Sequence, residues 1–239
     1  MTDKLVYNKV LLKVSGEALM GDQGFGIDPK TVNRVCKDIK EGCALGAKVA
    51  LVVGGGNIFR GVALAASGAD RVSGDHMGML ATVMNAIALR MALETLDVKA
   101  VVLSAIDMPE VCETFTQRAA EKYMQDGVVV IFAGGTGNPY FTTDTAAALR
   151  ACEMQCGALM KATQVDGVYS ADPNKVKDAT RFDTISHAEV LERGLEVMDA
   201  AAVSLTKQAN IPVVVFSLAD EGGFAKILKG EGRSTTVTS

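Results

Sequence analysis

Three glycine-rich segments and two lysines define the chemistry open to this chain. Ser15-Gly16-Glu17, Gly54-Gly55-Gly56-Asn57 and Gly134-Gly135-Thr136-Gly137-Asn138 each follow an apolar, β-branched run. Glycine lets backbone N–H groups approach an anion without interference from a Cβ, so three such turns at strand ends read as a phosphate cradle. Lys13 lies inside the run Val10-Leu11-Leu12-Lys13-Val14, and Lys161 inside Leu159-Met160-Lys161-Ala162-Thr163. An ammonium among buried neighbours needs an anion or a carboxylate opposite it, so this pair is expected to bracket a phosphate chain. Asp144, Asp166, Asp172 and Asp199 are the candidate acidic partners. Asp144 and Asp199 also suit helix N-caps, while Asp166-Gly167 and Asp172-Pro173 are ordinary turn dipeptides.

Absent motifs narrow the phosphate chemistry. The sequence holds no Gly-Lys dipeptide and hence no P-loop, and Phe59 and Tyr140 stand where a dinucleotide fingerprint would need its third glycine. His-Arg-Asp and Asp-Phe-Gly are missing, which removes the protein-kinase fold. Only His76 and His187 are present. So few histidines agree with chemistry that needs no general base, and His76 reads as a structural or positioning residue. His187 reads as a surface histidine at a helix start, with Ser186 and Glu189 forming a capping box.

The elements that must carry these residues follow from periodicity. Six apolar runs centred near residues 12, 51, 102, 130, 160 and 214 suggest a buried, largely parallel sheet. Helical patterns fall between them, from Pro29 to Leu45, His76 to Leu96, Phe115 to Gln125, Thr143 to Gln155 and Asp199 to Gln208. This alternation predicts a three-layer α/β/α sandwich with a largely parallel central sheet, one domain over 1–239 in two functional halves meeting near Gly157. Met77, Met79, Met84 and Met91 on the second helix are expected to fill the core.

Composition agrees with a small-molecule enzyme. Of 239 residues 49% are hydrophobic and 22% charged, and 24 basic against 28 acidic side chains give a net charge of −4. That balance does not supply the cationic surface of non-specific nucleic-acid binding. Cys36, Cys43, Cys112, Cys152 and Cys156 are odd in number and hold no C-x-x-C pair, so they read as small apolar residues, and no structural metal site is expected. No run resembles a secretory signal or a membrane span, and the cytoplasm is the expected compartment.

Together these segments resemble the amino acid kinase superfamily and, within it, the bacterial uridylate kinases. The superfamily marks are Lys13-Val14-Ser15-Gly16, Gly54-Gly55-Gly56-Asn57, Lys161-Ala162-Thr163, Asp166-Gly167-Val168-Tyr169 and Ala171-Asp172-Pro173. Closer to uridylate kinases are Gly21 to Gly26 with Ile27-Asp28, Phe59-Arg60-Gly61, Gly74 to Thr82, and the long run Gly135 to Asp144. The resemblance implies transfer of the γ-phosphate of ATP to UMP, with Mg²⁺ bound mainly through the nucleotide's phosphates. It assigns Lys13, Val14, Ser15, Gly16, Gly56, Arg60, Thr163, Tyr169 and Asp172 to ATP. It assigns Gly55, Asp75, Thr136, Gly137, Asn138, Pro139, Tyr140, Phe141, Thr142 and Thr143 to UMP. The UMP half would span 1–157 and the ATP half 158–239, with Lys13 to Gly16, Gly56 and Arg60 also reaching ATP. Lys13, Lys161, Asp144 and Asp199 would be catalytic. The resemblance further implies a homohexamer activated by GTP and inhibited by UTP, with Gly21, Asp22, Gln23, Gly24, Phe25 and Gly26 as the GTP-linked segment. Two other readings are a relative that phosphorylates a carboxylate or carbamate, and a nucleotide sensor without turnover. The Gly135-to-Asp144 run speaks against the first, and the full set of lysines and aspartates against the second.

Overall fold

The computed structural model describes residues 5–59, 68, 70–173, 175–218 and 221–239. Among them are strands β1 (Lys9–Val14), β2 (Lys48–Val53), β3 (Ala100–Ser104), β4 (Glu113–Thr114), β5 (Val129–Ala133), β6 (Ala158–Thr163), β7 (Thr184–Ser186), β8 (Val213–Ser217) and β9 (Ser234–Thr238). They form one sheet in the order β4-β3-β5-β2-β1-β6-β8-β9-β7. The apolar runs make its parallel centre, where β1 pairs with both β2 and β6. Three strands add to the six expected from sequence. β4 and β7 are too short to leave a periodic signal, and β9 is a threonine-rich strand that runs antiparallel to β8. The expectation of a largely parallel sheet holds, with this reversal at one side.

Among the described residues seven α-helices cover the sheet: α1 (Pro29–Ala44), α2 (Arg71–Thr95), α3 (Gln117–Gln125), α4 (Thr143–Glu153), α5 (His187–Arg193), α6 (Ala200–Gln208) and α7 (Gly223–Leu228). Their starts are set by side-chain caps. The Asp28 carboxylate accepts from Thr31 N at 3.0 Å ahead of Pro29, and Ser186 Oγ accepts from Glu189 N at 3.0 Å. Asp70 caps α2, which therefore begins five residues before the expected His76.

Strand alternation divides the core into two layers. Val10, Leu12 and Val14 pack with α1, α2 and α7, whereas Leu11, Ala50, Val52, Leu159 and Val215 pack with α3 to α6. Lys13 and Lys161 fall in the second set, on the α4 and α6 face. At ~25 cal/mol per Å², burying strands on both faces is the main favourable contribution to folding, and it demands nearly continuous apolar sequence.

Two expectations are corrected. Met79 is buried, but Met77, Met84 and Met91 are exposed by 47%, 55% and 58%, and with Leu80 they form an outward apolar stripe along α2. This helix is apolar around its whole circumference, so composition did not reveal which face meets the sheet. His187 is buried at 1% exposure rather than lying on the surface, because its position at the first turn of α5 turns it into the second core layer. By length and composition α2 would pass as a membrane-crossing helix, but its inner residues are packed on the sheet, as in a core helix. All five cysteines are free; Cys36 and Cys156 are buried and the other three partly so. Burial pushes the Cys36 and Cys156 thiols up to about 12, leaving them inert.

Candidate active site

The register of β1 against β6 sets Lys13 opposite Lys161 at the carboxyl ends of adjacent parallel strands. Equivalent positions on paired strands face the same side of the sheet, so the two ammonium groups arrive together. Between them stands Asp144, in the first turn of α4. Its Oδ1 lies 2.7 Å from Lys13 Nζ and its Oδ2 2.8 Å from Lys161 Nζ. All three side chains are mostly buried, at 8%, 16% and 15% exposure for Lys13, Lys161 and Asp144. Burial pushes the Asp144 carboxyl up, but both lysines outweigh it and hold the group below the usual carboxylate range. Burial also pulls the Lys161 ammonium below the ordinary lysine value, against the opposing pull of Asp144. Within this triad two cations share one anion, so each ammonium keeps donors to offer the oxygens of a polyanionic ligand.

Asp199 belongs to the same cluster and is also a helix cap. Its Oδ1 accepts from Ala202 N at 2.9 Å to start α6, while Oδ2 accepts from the hydroxyls of Thr145, at 2.9 Å, and Thr142. Thr142 in turn caps α4, accepting from Asp144 N at 3.0 Å. Asp144 thus sits at the second position of α4, and the cap falls to Thr142. Lys161 Nζ also donates to the carbonyl of Val197, tying the segment before α6 to the cluster. Asp166 and Asp172 are not part of it. Asp166 accepts from Tyr169 Oη at 2.5 Å and pairs with Arg233 at 2.7 Å, and Asp172 lies 3.2 Å from Lys175.

A cavity of about 620 Å³ opens beside Lys161. Thr163, Tyr169 and Asp172 line it, together with Gly194 to Val197. Three residues assigned to ATP by resemblance therefore share one hollow with a lysine at its inner end. Val14 closes β1, and Ser15 caps a short 3₁₀ helix, Gly16–Leu19, by accepting from Ala18 N. Gly16 is required by close approach, since a Cβ there would lie 2.5 Å from Asn57 Oδ1 and 2.8 Å from Gly56 N. Arg60 lies outside the described residues.

Across the cluster, Gly55 is pressed against α2, where a Cβ would meet Gly78 O at 2.7 Å. Thr143 places its hydroxyl near Gly54. The loop from Thr136 to Phe141 lies mostly at the surface, with Thr136 Oγ1 bonded within it to Asn138 and with Tyr140 in the left-handed region at φ 70°. Pro139 leads into that strained residue. Asp75 anchors the loop, its Oδ2 accepting from Tyr140 N at 2.7 Å while Arg71 Nε donates from 2.9 Å. Gly137 packs against Ala105. Gly21, Asp22, Gln23, Gly24 and Phe25 are exposed, and Gly26 bonds to Asn57 through both its N–H and its carbonyl.

Sequence reasoning missed the residues that hold the glycine turns from behind. Thr82 Oγ1 accepts from Gly134 N at 2.8 Å, and Asn85 Nδ2 donates to Gly54 O at 2.7 Å. The available signals were an asparagine in an apolar helix and the place of Thr82 at the end of the Gly74-to-Thr82 run.

Comparison with known proteins places this geometry. Residues 8–217 match the family model described as the amino acid kinase family. A uridylate kinase from Brucella abortus biovar 1 is 63% identical over 238 residues, covering 100% of this chain and 99% of the relative. One from Mesorhizobium japonicum is 63% identical over 237 residues, covering 99% of each. The UMP kinase structure from Bacillus anthracis superposes with a TM-score of 0.94 at 35% identity, over 97% of this chain and 96% of that one. That from Ureaplasma parvum gives 0.92 at 34%, over 97% and 99%. With a lysine pair on adjacent strands, glycine turns at the same rim and relatives alike from end to end, the chain belongs to the amino acid kinase family, in its uridylate kinase group.

Proposed function

We propose that this chain transfers the γ-phosphate of ATP to UMP, giving UDP and ADP, in the pyrimidine nucleotide metabolism of the cytoplasm. The observation that carries the reading is the Lys13–Asp144–Lys161 cluster, set between the cavity beside Thr163, Tyr169 and Asp172 and the turns around Gly55 and Gly135. ATP occupies the cavity side, on the 158–239 half, with Lys13 to Gly16 and Gly56 reaching its phosphates. UMP occupies the other side, between Gly55, Asp75 and the 136–143 loop. The oxygens of the UMP phosphate are mostly ionised at neutral pH, so attack needs no proton acceptor. Lys13 and Lys161 turn from Asp144 toward the equatorial oxygens of the transferring group, and Asp144 keeps both ammonium groups oriented. At ~4 Å and an effective dielectric of ~20 each contact contributes ~4 kcal/mol before desolvation.

A Mg²⁺ ion bound with ATP would supply neutralisation of phosphate charge. The chemistry at the rim fits a metal held through phosphates and water: the Asp144 oxygens face lysines, and those of Asp199 accept from Thr142, Thr145 and Ala202. With such an ion in place, Asp144 and Asp199 would orient the lysines or the ion's waters.

Homohexamer formation, GTP activation and UTP inhibition belong to the same proposal. The apolar stripe of Met77, Leu80, Met84 and Met91 supports burial of α2 against another copy. The bonds between Gly26 and Asn57 support a path from the 21–26 segment to the Gly54–Gly56 turn. UTP, sharing base and ribose with UMP, would compete at its seat. Incubation with ATP, Mg²⁺ and a panel of UMP, CMP, AMP and amino acids tests the activity; UDP as sole product is expected, and another product or binding without turnover would overturn it. Met84→Lys should lower the sedimenting mass, and an unchanged mass would place assembly elsewhere.

A further inference from the structure

Helix α2 carries two polar side chains on its inner face that the proposed chemistry does not use. Thr82 and Asn85 are exposed by 2% and 0%, among the apolar residues Val83, Ala86 and Leu89. Buried polar groups inside an apolar layer are retained where they bond, and these bond to the ends of two strands. Thr82 Oγ1 accepts from Gly134 N at 2.8 Å and donates to Met79 O at 2.6 Å, which saturates the hydroxyl's proton locally. Asn85 Nδ2 donates to Gly54 O at 2.7 Å and to Asn57 Oδ1 at 2.7 Å. Asn57 Nδ2 returns a bond to Asn85 Oδ1 at 3.0 Å and reaches Gly26 O at 2.8 Å. The two amides form a closed pair, and the Asn57 side chain lies directly under Gly16.

We propose that Thr82 and Asn85 are positioning residues: from three positions apart on one helix they fix the Gly134–Gly135 turn and the Gly54–Gly56 turn relative to each other, and so set the separation at which two phosphate groups are held. This inference rests on the reading of those turns as phosphate seats. Neither side chain touches substrate. On the Gly54–Gly56 side packing enforces the spacing, because Gly55 admits no Cβ between itself and α2, whereas Gly134, at φ 75°, is crowded by Ser104 at the end of β3 and is tied to α2 through the Thr82 bond. Movement of α2 thus reaches one turn through backbone contact and the Asn85 bond, and the other through Thr82 alone. The two clamps differ in reach. Thr82 holds the turn that leads into the 136–143 loop, so it acts on the UMP side. Asn85 holds the turn shared by Gly16 and Thr143, so it acts on both.

Thr82→Val keeps the shape and removes the acceptor, whereas Thr82→Ser keeps it. Steady-state kinetics of the full-length enzyme should show Thr82→Val raising the KM for UMP about tenfold, one hydrogen bond's worth, with the KM for ATP within about twofold. Thr82→Ser should restore it. A purely structural role would shift the melting temperature and leave the ratio of the two KM values unchanged, and that result overturns the inference. Asn85→Asp is the second variant, keeping an acceptor for Asn57 and losing the donor to Gly54. It should raise both KM values, and unchanged values would equally overturn the inference. A wild-type enzyme that forms no UDP would instead overturn the functional reading, which separates the two failures.

Discussion

The lysine cluster, at the ends of β1 and β6, and the amide clamp, at the ends of β2 and β5, meet the same rim of the sheet from opposite faces. On the α4 and α6 side, Lys13, Lys161 and Asp144 are charged, mostly buried and mutually paired. On the α2 side, Thr82, Asn85 and Asn57 are neutral, fully buried and bonded to backbone. On the proposed reading, removing a charge would change the field at the reacting phosphate, while removing a neutral bond would change only where the phosphate is held. The contrast teaches that one rim can separate the supply of charge from the control of distance by using different layers of the same fold.

The largest expected effect is on the charged side. Lys13→Met and Lys161→Met should each lower kcat by about 10²–10³-fold with the fold intact, the magnitude of losing one preorganised donor at a transition state. A change in KM alone would merge the two groupings into one binding surface. Asp144→Asn comes next, because it leaves two ammonium groups facing a neutral amide. It should lower kcat by about tenfold or more and destabilise the protein by about 3 kcal/mol. Its acid limb is also diagnostic. Asp144 is held below its unfolded pKa, so its contribution is complete above ~3.9 and is lost as pH falls through the folded value. Asp144→Asn should flatten stability against pH in that range, measured by denaturant unfolding.

The smallest effect is a control outside both groupings. Burial pushes His187 below the ordinary histidine range, against the carbonyls of Thr238 and Ile211, with Lys207 adding to the downward pull. It stays neutral in the fold while the unfolded chain takes up a proton as pH falls below ~6.5. Stability should therefore be full above that value and decline toward pH 5, by about 1 kcal/mol, and His187→Gln should remove the decline with kcat unchanged.

The charged grouping was legible in sequence because a lysine inside a β-branched run breaks a strong pattern at a known strand end. Asp144 followed from the long run that precedes α4. The clamp was not legible, since Thr82 and Asn85 sit in a helix whose apolar residues run around its circumference, and only the register of α2 on the sheet makes them inward. For the same reason Met77, Met84 and Met91 read as core. Asp199 was visible both as a cap and as a candidate site residue; it caps α6 and also accepts from Thr145 beside Asp144. β4 and β7 escaped notice because two- and three-residue strands are defined by their neighbours' hydrogen bonds rather than by their own composition.

Those two short strands have a consequence for how the molecule behaves in a crowded solution. A broad sheet with long free margins would offer rows of unsatisfied N–H and C=O groups to any other extended chain and invite fibrillar growth. Here the margins are β4 and β7, two and three residues long. Among the described residues the outermost strands offer little template for uncontrolled strand addition, which favours helical surfaces over strand edges as ground for contact between copies of this chain.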